Sequence, residues 1–434
     1  MGISRVQFGG GGVRNVARLL VLLLICSGPL FEIPGRAQER GSLAGESAAQ
    51  ALKESAQAEA QQYNIHYGPL DFQVGAGVRF GYTDNAFYSE TDRKEDFVIN
   101  PEARLAVFTQ LSELNTLKLG FGLGYEYYVK NHELNGDAPL VNPDSELVFN
   151  LFVGDFRFRF HEKFSYQQTL FINTTPSGQD LLFNFNNVGT FTRWDNQAGV
   201  DGDWDLDRLI LSVGYNHENF ESSTAGFEYL NRASEWFTAS ASFLLGDQAK
   251  VGVESQAGLH NYDSEAVLND HWQARVGPFV DFKLLEGIAF RGGGGYDTAQ
   301  YDTAGEGSNY KTYYAYGRIT QQTRLFTHSI DGGRETLLGE NANNLEDTYA
   351  RYSISSPVVA HMDLSAYGAV HFDTEYGGAF REEFTYYVGG CSVGYQIHKY
   401  WRTEAGYEYL SKSSDLPLRS FHRNRVTLGL RFTF

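Results

Sequence analysis

Cysteine is almost absent from the 434-residue chain: Cys26 and Cys391 are the two it has, beside 10 prolines and 2 methionines. Cys26 lies in an N-terminal stretch that reads as a removed leader, so Cys391 stands alone and no internal disulfide can hold the mature fold. Basic charge is scarce too. Against 53 Asp and Glu there are 35 Lys and Arg, a net charge of −18, which repels phosphate backbones and leaves no nucleic-acid partner to expect. Apolar runs of about 20 residues, the length of a membrane helix, are missing, which excludes a helical bundle but not a barrel whose strands show one apolar face. Catalytic signatures are missing as well: there is no GxSxG, no HExxH and no cysteine pair, and His328 beside Ser329 makes no catalytic pair by adjacency. Neither an enzyme nor a cofactor is expected. What the chain has in quantity is 32 Phe, 27 Tyr and 47 Gly, a mixture suited to strands.

The N-terminus carries Arg5, Arg14 and Arg18 ahead of LLVLLLICSGPLF at Leu19 to Phe31, then Gly35 and Ala37 at −3 and −1 of a cut before Gln38. Residues 1–37 therefore read as a signal peptide, with a retained anchor as the alternative. LLIC lacks the small residues expected before a lipidated cysteine. Residues 38–67, rich in Ala, Glu and Gln, read as a periplasmic tether or short helix, and 68–434 as the folded unit.

From Asp71 the period becomes two. Phe72, Val74, Ala76, Val78, Phe80 and Tyr82 alternate with Gln73, Gly75, Gly77, Arg79 and Gly81, and Leu117 to Tyr127 and Val426 to Phe434 repeat the pattern. The alternation predicts about 18 strands, with 16 the main alternative, running from 71–82 to 421–434 and including 114–129, 188–204, 227–245 and 323–333. Long connections at 83–96, 130–145 and 169–187 alternate with short ones at 110–113, 154–155 and 284–285. A soluble sandwich would have to bury Arg79, Arg104, Lys118, Glu126, Arg157, Arg159, Arg193, Glu254, Arg275, Arg291 and Arg351 on its inner face, whereas a water-filled lumen accepts them. The fold class that follows is all-β, a transmembrane antiparallel β-barrel.

The last strand, NRVTLGLRFTF, ends on Phe434 with Leu428, Leu430 and Phe432 on the same face. In this the sequence resembles the large bacterial outer-membrane β-barrels over residues 68–434, especially unplugged porin-like barrels of exopolysaccharide-producing bacteria. The resemblance implies an outer-membrane location in a Gram-negative bacterium, lipid around the wall, and Leu428, Leu430, Phe432 and Phe434 as the signal offered to the barrel assembly machinery. It also raises polysaccharide as a cargo. The chain departs from TonB-dependent nutrient receptors, since no folded plug domain precedes the first strand.

Within the lumen, Arg79, Arg104, Lys118, Glu126, Arg157, Arg159, Arg193 and Arg431 are the expected pore-lining residues, with Arg157, Arg159 and Arg193 forming a constriction and Glu102, Arg104, Arg79 and Arg431 the closing seam. Asp201, Asp203 and Asp205 share a strand face and are a weak candidate for calcium, since alternate carboxylates on a strand lie about 7 Å apart. The glycines of RGGGGY, Arg291 to Tyr296, alternate within a strand and leave space beside bulky side chains rather than cradle a phosphate. Trp204, Trp236, Trp272, Tyr82, Tyr125, Tyr127, Tyr407 and Tyr409 are candidates for interfacial girdles. Passive passage of small hydrophilic solutes or ions is the expected role; a polysaccharide export channel and a non-conducting structural or adhesion barrel are the alternatives.

Overall fold

A computed structural model describes residues 63–169, 171–174, 180–183, 191–246, 248–302, 308–359, 361–378 and 380–434. The expected signal peptide at 1–37 and most of the 38–67 tether lie outside the described residues. Eighteen long strands form the wall: β1 (Leu70–Thr83), β2 (Asp96–Gln110), β3 (Thr116–Gly124), β4 (Glu146–Val153), β5 (Phe156–Thr169) and β6 (Phe191–Asp205). They continue as β7 (Leu209–Ser222), β8 (Arg232–Leu244), β9 (Ala249–Tyr262), β10 (His271–Leu285), β11 (Ile288–Tyr301) and β12 (Tyr310–Gln322). The last are β13 (Thr327–Leu338), β14 (Asn344–Val359), β15 (Met362–Tyr376), β16 (Glu382–His398), β17 (Trp401–Ser414) and β18 (Phe421–Thr433). Short pieces at Ile65–Tyr67, Tyr127–Tyr128 and Leu140–Val141 join the same sheet, and Phe171–Thr174 pairs with Asp180–Phe183 outside it.

Each strand pairs antiparallel with the next, and β18 returns to β1 from Thr433↔Gly75 to Arg425↔Thr83. Phe434 and Val74 then exchange backbone N–H···O bonds, both 2.7 Å. Closure leaves no edge, so every strand finds its backbone partners inside the wall, as lipid demands. The strand number is 18, and the 16-stranded alternative is set aside.

The longer connections gather at one end, among them 84–95, 223–231, 263–270, 339–343 and 415–420, while short turns and both described termini lie at the other. In an outer-membrane barrel the long loops are extracellular and the turns periplasmic. Gly154 (φ 58°) and Gly287 (φ 76°) occupy two of those turns, in the left-handed conformation that glycine adopts without strain.

Three expected strands differ in detail for local reasons. The 114–129 strand is interrupted after Gly124: Tyr125 N–H still donates to Pro101 O at 3.2 Å, but proline has no N–H to return. Register survives the gap, since Tyr128 still faces Val98 as Gly124 faces Glu102. The 227–245 strand begins only at Arg232, because Glu228–Leu230 forms a 3-10 turn that drops Leu230 into the interior. The 323–333 strand starts at Thr327 and runs on to Leu338; the Thr323 hydroxyl accepts the N–H groups of Leu325 and Phe326 and makes the preceding residues a turn. Ahead of β1, Ile65–Tyr67 folds back on Leu70–Phe72, and Tyr63 stacks on Phe108 with ring centroids 5.7 Å apart.

The two faces of the wall are chemically distinct. Phe80, Leu119, Val213, Tyr296, Leu428 and Leu430 stand exposed on one face, an apolar belt of the kind that meets lipid. Trp204, Trp272, Tyr82, Tyr127, Tyr407 and Tyr409 share that face by register, but Trp236 does not. Its parity places it inside, where Nε1 donates to Glu218 at 3.3 Å and the ring meets His260 edge-on at 4.8 Å. Tyr125, in the interruption after β3, donates its hydroxyl to the Gly136 carbonyl at 2.6 Å.

Candidate functional site

The lumen is built from the opposite parity of the same strands, and its charges are set in place by cross-strand register. At the closing seam Glu102 receives Arg104 and Arg431, each at 3.3 Å, and Arg104 also reaches Asp144 at 2.7 Å. Asp144 comes from the turn between Leu140–Val141 and β4. Arg79 and Lys118 sit on the same inner face of β1 and β3, and Glu126, in the interruption after β3, accepts the Asn100 amide at 3.0 Å. Glu102, Arg104 and Arg431 are thus brought together at the seam, and Arg79 and Lys118 are placed on the same face.

The three arginines expected in one constriction are separated. Arg159 and His161 both approach Asp201 at 3.6 Å, and Arg157 lies 5.9 Å from the Phe152 ring centroid, all towards the turn end of β5 and β6. Arg193 pairs with Gln167 in register, eight residues along β6 from Asp201, roughly 26 Å away along an extended strand. Its Nε bonds Asp195 at 2.9 Å at the loop end, and the side chain is almost fully buried. The acidic trio does not converge either. Asp201 is taken by Arg159 and His161, while Asp205 accepts the Asp207 N–H at 2.9 Å in a turn. Among the described residues no group of three or more His, Cys, Asp or Glu is arranged to hold a metal ion.

A second charged row, only partly foreseen, crosses six consecutive strands. Lys250 faces Asp281, Asp281 faces Arg291, Arg291 faces Arg318, Arg318 faces Asp331 and Asp331 faces Arg351. Arg351 holds Asp331 at 2.8 Å, and Lys250 stands 3.9 Å from Asp281. Each member sits at an alternating position of its own strand, so parity was available from sequence; only the register of five hairpins lines them up. Above this row Arg275 binds Glu335 at 3.3 Å and Gln256 at 2.8 Å, and Tyr316 donates to Glu254 at 2.9 Å. Gly293 makes room for Tyr316: a Cβ there would lie 2.7 Å from the Tyr316 hydroxyl.

Towards the loop end the lumen closes. Tyr88, Phe220, Phe227, Leu230, Tyr262, Leu268, Leu337, Leu345, Phe384, Tyr386, Leu410 and Phe421 form one buried cluster. Its members come from β7 and from β16, nine strands apart around an eighteen-stranded wall, so the cluster spans the bore. Buried charge surrounds it. Glu382 is fully buried between Lys412 Nζ at 2.8 Å, the Arg419 guanidinium and the Ser414 hydroxyl at 2.6 Å. The 339–343 loop is buried in the same mouth, and Glu375 Oε1 accepts its N–H groups at Glu340 (2.6 Å), Asn341 (2.5 Å) and Ala342 (3.1 Å). Asn343 donates to Asn269 and to Ser308, both 2.9 Å, and Tyr301 Oη donates to its carbonyl at 2.8 Å. Nothing in the sequence pattern pointed to this loop.

No protein-family profile matches the chain. No curated protein matches it significantly. Among solved structures, a BenF-like porin from Pseudomonas fluorescens Pf-5 is similar with a TM-score of 0.50 and 8% identity, over 84% of this chain and 99% of that one. OccK2 (OpdF) of Pseudomonas aeruginosa, solved in complex with glucuronate, is similar at a TM-score of 0.48 and 9% identity over 84% and 98% of the two chains. A loop L8 deletion mutant of OmpT from Vibrio cholerae is similar at 0.41 and 12% identity over 84% and 99%. At such identities the likeness concerns the fold. A closed, even-numbered antiparallel barrel with an apolar outer belt and a charged interior is a transmembrane barrel of the outer membrane, porin-like in architecture.

Proposed function

We propose that the protein is a passive diffusion channel for small hydrophilic solutes or ions, with Arg79, Arg104, Lys118, Glu126, Arg157, Arg159 and Arg431 lining the path and Arg193 sealed in the wall at its outer end beside Asp195. The observation that carries this reading is the Lys250, Asp281, Arg291, Arg318, Asp331, Arg351 row. Four basic side chains to two acidic ones on one stretch of inner wall favour anions at that level, because wall charges set ionic preference where the bore confines a solute. Catalysis plays no part. The row is a net attraction superimposed on a chain of net charge −18, so it is local selectivity and not bulk charge that it supplies.

Conductance and reversal potential of the purified barrel in planar bilayers test the reading. Anion preference that falls when Arg318 and Arg351 are both changed to Gln supports it; a correctly folded barrel with no conductance rejects it. A non-conducting structural barrel is the second reading, favoured by the packed outer mouth. The cluster of Phe220, Tyr262, Phe384 and Leu410 has to part even for a small solute, and export of a polysaccharide would require a still wider opening there. Leu428, Leu430, Phe432 and Phe434 are proposed as the assembly signal, and residues 1–37 as the leader that directs export.

A further inference from the structure

The 339–343 loop, which closes the mouth of the barrel together with the aromatic cluster, is held to the wall chiefly by Glu375 and also by Tyr301. Glu375, at the outer end of β15, gathers three successive N–H groups of the 339–343 loop on one carboxylate oxygen, and its other oxygen accepts the Asn341 amide at 3.2 Å. The loop is then clasped to two neighbouring loops by Asn343, through Asn269 and Ser308. With Ala342, Asn343 and Asn344 at 1–2% exposure, this is a packed lid and not a loop lying over the rim.

Glu340 is the misfit in that lid. Its side chain is buried at 3% exposure and its Oε1 has no hydrogen-bond partner. The charged groups near enough to act on it come from four strands: Glu375 on β15, Lys412 on β17, Arg193 on β6 and Arg232 on β8. Tyr229 of the 223–231 loop and Tyr386 of β16 also feel its charge, and beyond them lie Arg419, Glu382 and Asp373. Lys412 and Arg419 are already engaged by Glu382, Arg193 by Asp195 and Arg232 by Glu218. The nearby cations therefore have carboxylates of their own, and Glu340 shares its pocket with Glu375.

We propose that the 339–343 loop is an acid-closed lid of the channel, seated when Glu340 carries a proton and released when Glu340 ionises. This rests on the channel reading above. Burial first, and the Glu375 charge second, hold the Glu340 carboxyl well above the usual carboxylate range in the closed state. In the open state the side chain meets water and returns to the ordinary range. Closure thus takes up a proton: lowering the pH favours the seated lid, and raising it through the elevated range of Glu340 releases the lid. Ionised Glu340 would have to stay in a dry pocket beside a second carboxylate, and moving outward removes both penalties at once.

The test is bilayer recording of the full mature barrel at about pH 5 and about pH 8, because a lid that takes up one proton on closing changes its open-to-closed ratio by about tenfold for each pH step of one across its titration range. Wild type should conduct at least about tenfold more at the higher pH. Glu340→Gln, permanently neutral, should stay at the low-pH level throughout. Glu375→Ala, which removes the latch, should conduct at both. In a Cys391→Ser background, joining Asn269→Cys to Asn343→Cys with a thiol crosslinker should hold the channel shut at either pH, which reports on lid movement even if the Glu375 variant folds poorly. Conductance that ignores pH in wild type, a Glu340→Gln variant with the wild-type profile, or a crosslinked barrel that conducts normally each overturns the lid. If wild type, Glu375→Ala and the uncrosslinked double cysteine variant are all silent although folded, the channel reading falls and the lid with it.

Discussion

The turn half and the loop half of the bore are made by the same eighteen strands, yet they treat charge in opposite ways. In the turn half, several ion pairs strung along the wall stay accessible, since Arg431 keeps 41% of its side-chain exposure while bonding Glu102, and Lys250 and Asp281 are both about a third exposed, whereas Arg159 with Asp201 and Arg351 with Asp331 are more enclosed. In the loop half, Glu382, Lys412 and Arg193 are sealed within a packed interior of aromatic and aliphatic side chains. Water solvates the first set, and neighbours alone satisfy the second. An accessible charge in the turn half is therefore free to act on a passing solute, whereas one sealed in the loop half is structural first, because removing its partner strands an unpaired ion.

That contrast can be attacked with substitutions of decreasing consequence. Glu382→Ala removes the carboxylate shared by Lys412 and Arg419 and should destabilise the mouth by about 3–5 kcal/mol, the usual cost of breaking a buried pair from one side. Limited proteolysis of the 415–420 and 339–343 loops should accelerate while heat-modifiable migration of the barrel persists; unchanged cleavage would show that the mouth does not depend on the pair. Leu119→Arg attacks the face common to both halves. An arginine near mid-membrane costs about 2–4 kcal/mol, so the folded, membrane-embedded fraction should fall, as read by carbonate extraction and heat modifiability.

Deleting Phe434 removes a residue that is bonded to Val74 at the closing seam and whose ring lies 5.3 Å from Tyr400. Burial of one aromatic is worth about 1.5–3 kcal/mol, so refolding in detergent should be close to normal. Yield in cells should fall further for the deletion than for Phe432→Ala if the terminal aromatic is the assembly mark; equal cellular yields for wild type and deletion would end that proposal. The smallest effect on stability is expected from Arg157→Gln with Arg159→Gln, since partly solvated pairs contribute at most about 1 kcal/mol. Their signature should be in transport: a shift in cation-to-anion permeability that grows as salt is lowered. Equal permeability ratios at all salt concentrations would assign these arginines to wall solvation alone.

Much of the wall was legible because a strand obeys a two-residue period that survives any local error in its ends. Phe72 to Tyr82 and Val426 to Phe434 were assigned to one face from alternation alone, and their pairing in the closed sheet respects it. Trp236 went wrong for an instructive reason. Trp236 is followed directly by Phe237 within β8, so two adjacent aromatics compete for the outer face, and the pairing of Asn216 with Trp236 and of Trp236 with Gly258 fixes the side. The supposed constriction failed differently: Arg159 and Arg193 were correctly given to neighbouring strands, but height along a strand requires register, which places Arg193 at the far end.

Period, turn chemistry and composition by themselves determined that this chain makes a closed barrel of about eighteen strands with an apolar outer face and a charged inner one, since each of these is a local property repeated along the chain. Tertiary structure alone decided what stands in the bore. The charged row from Lys250 to Arg351 exists only when five hairpins settle into register. The outer mouth is filled by residues as distant in sequence as Tyr88, Leu268 and Phe421, and a lone glutamate at 340 becomes significant only because Glu375 holds its loop buried in that mouth. Loops carry no period. Where they fold is set by contacts with the wall opposite, and those contacts come into being only once the sheet has closed.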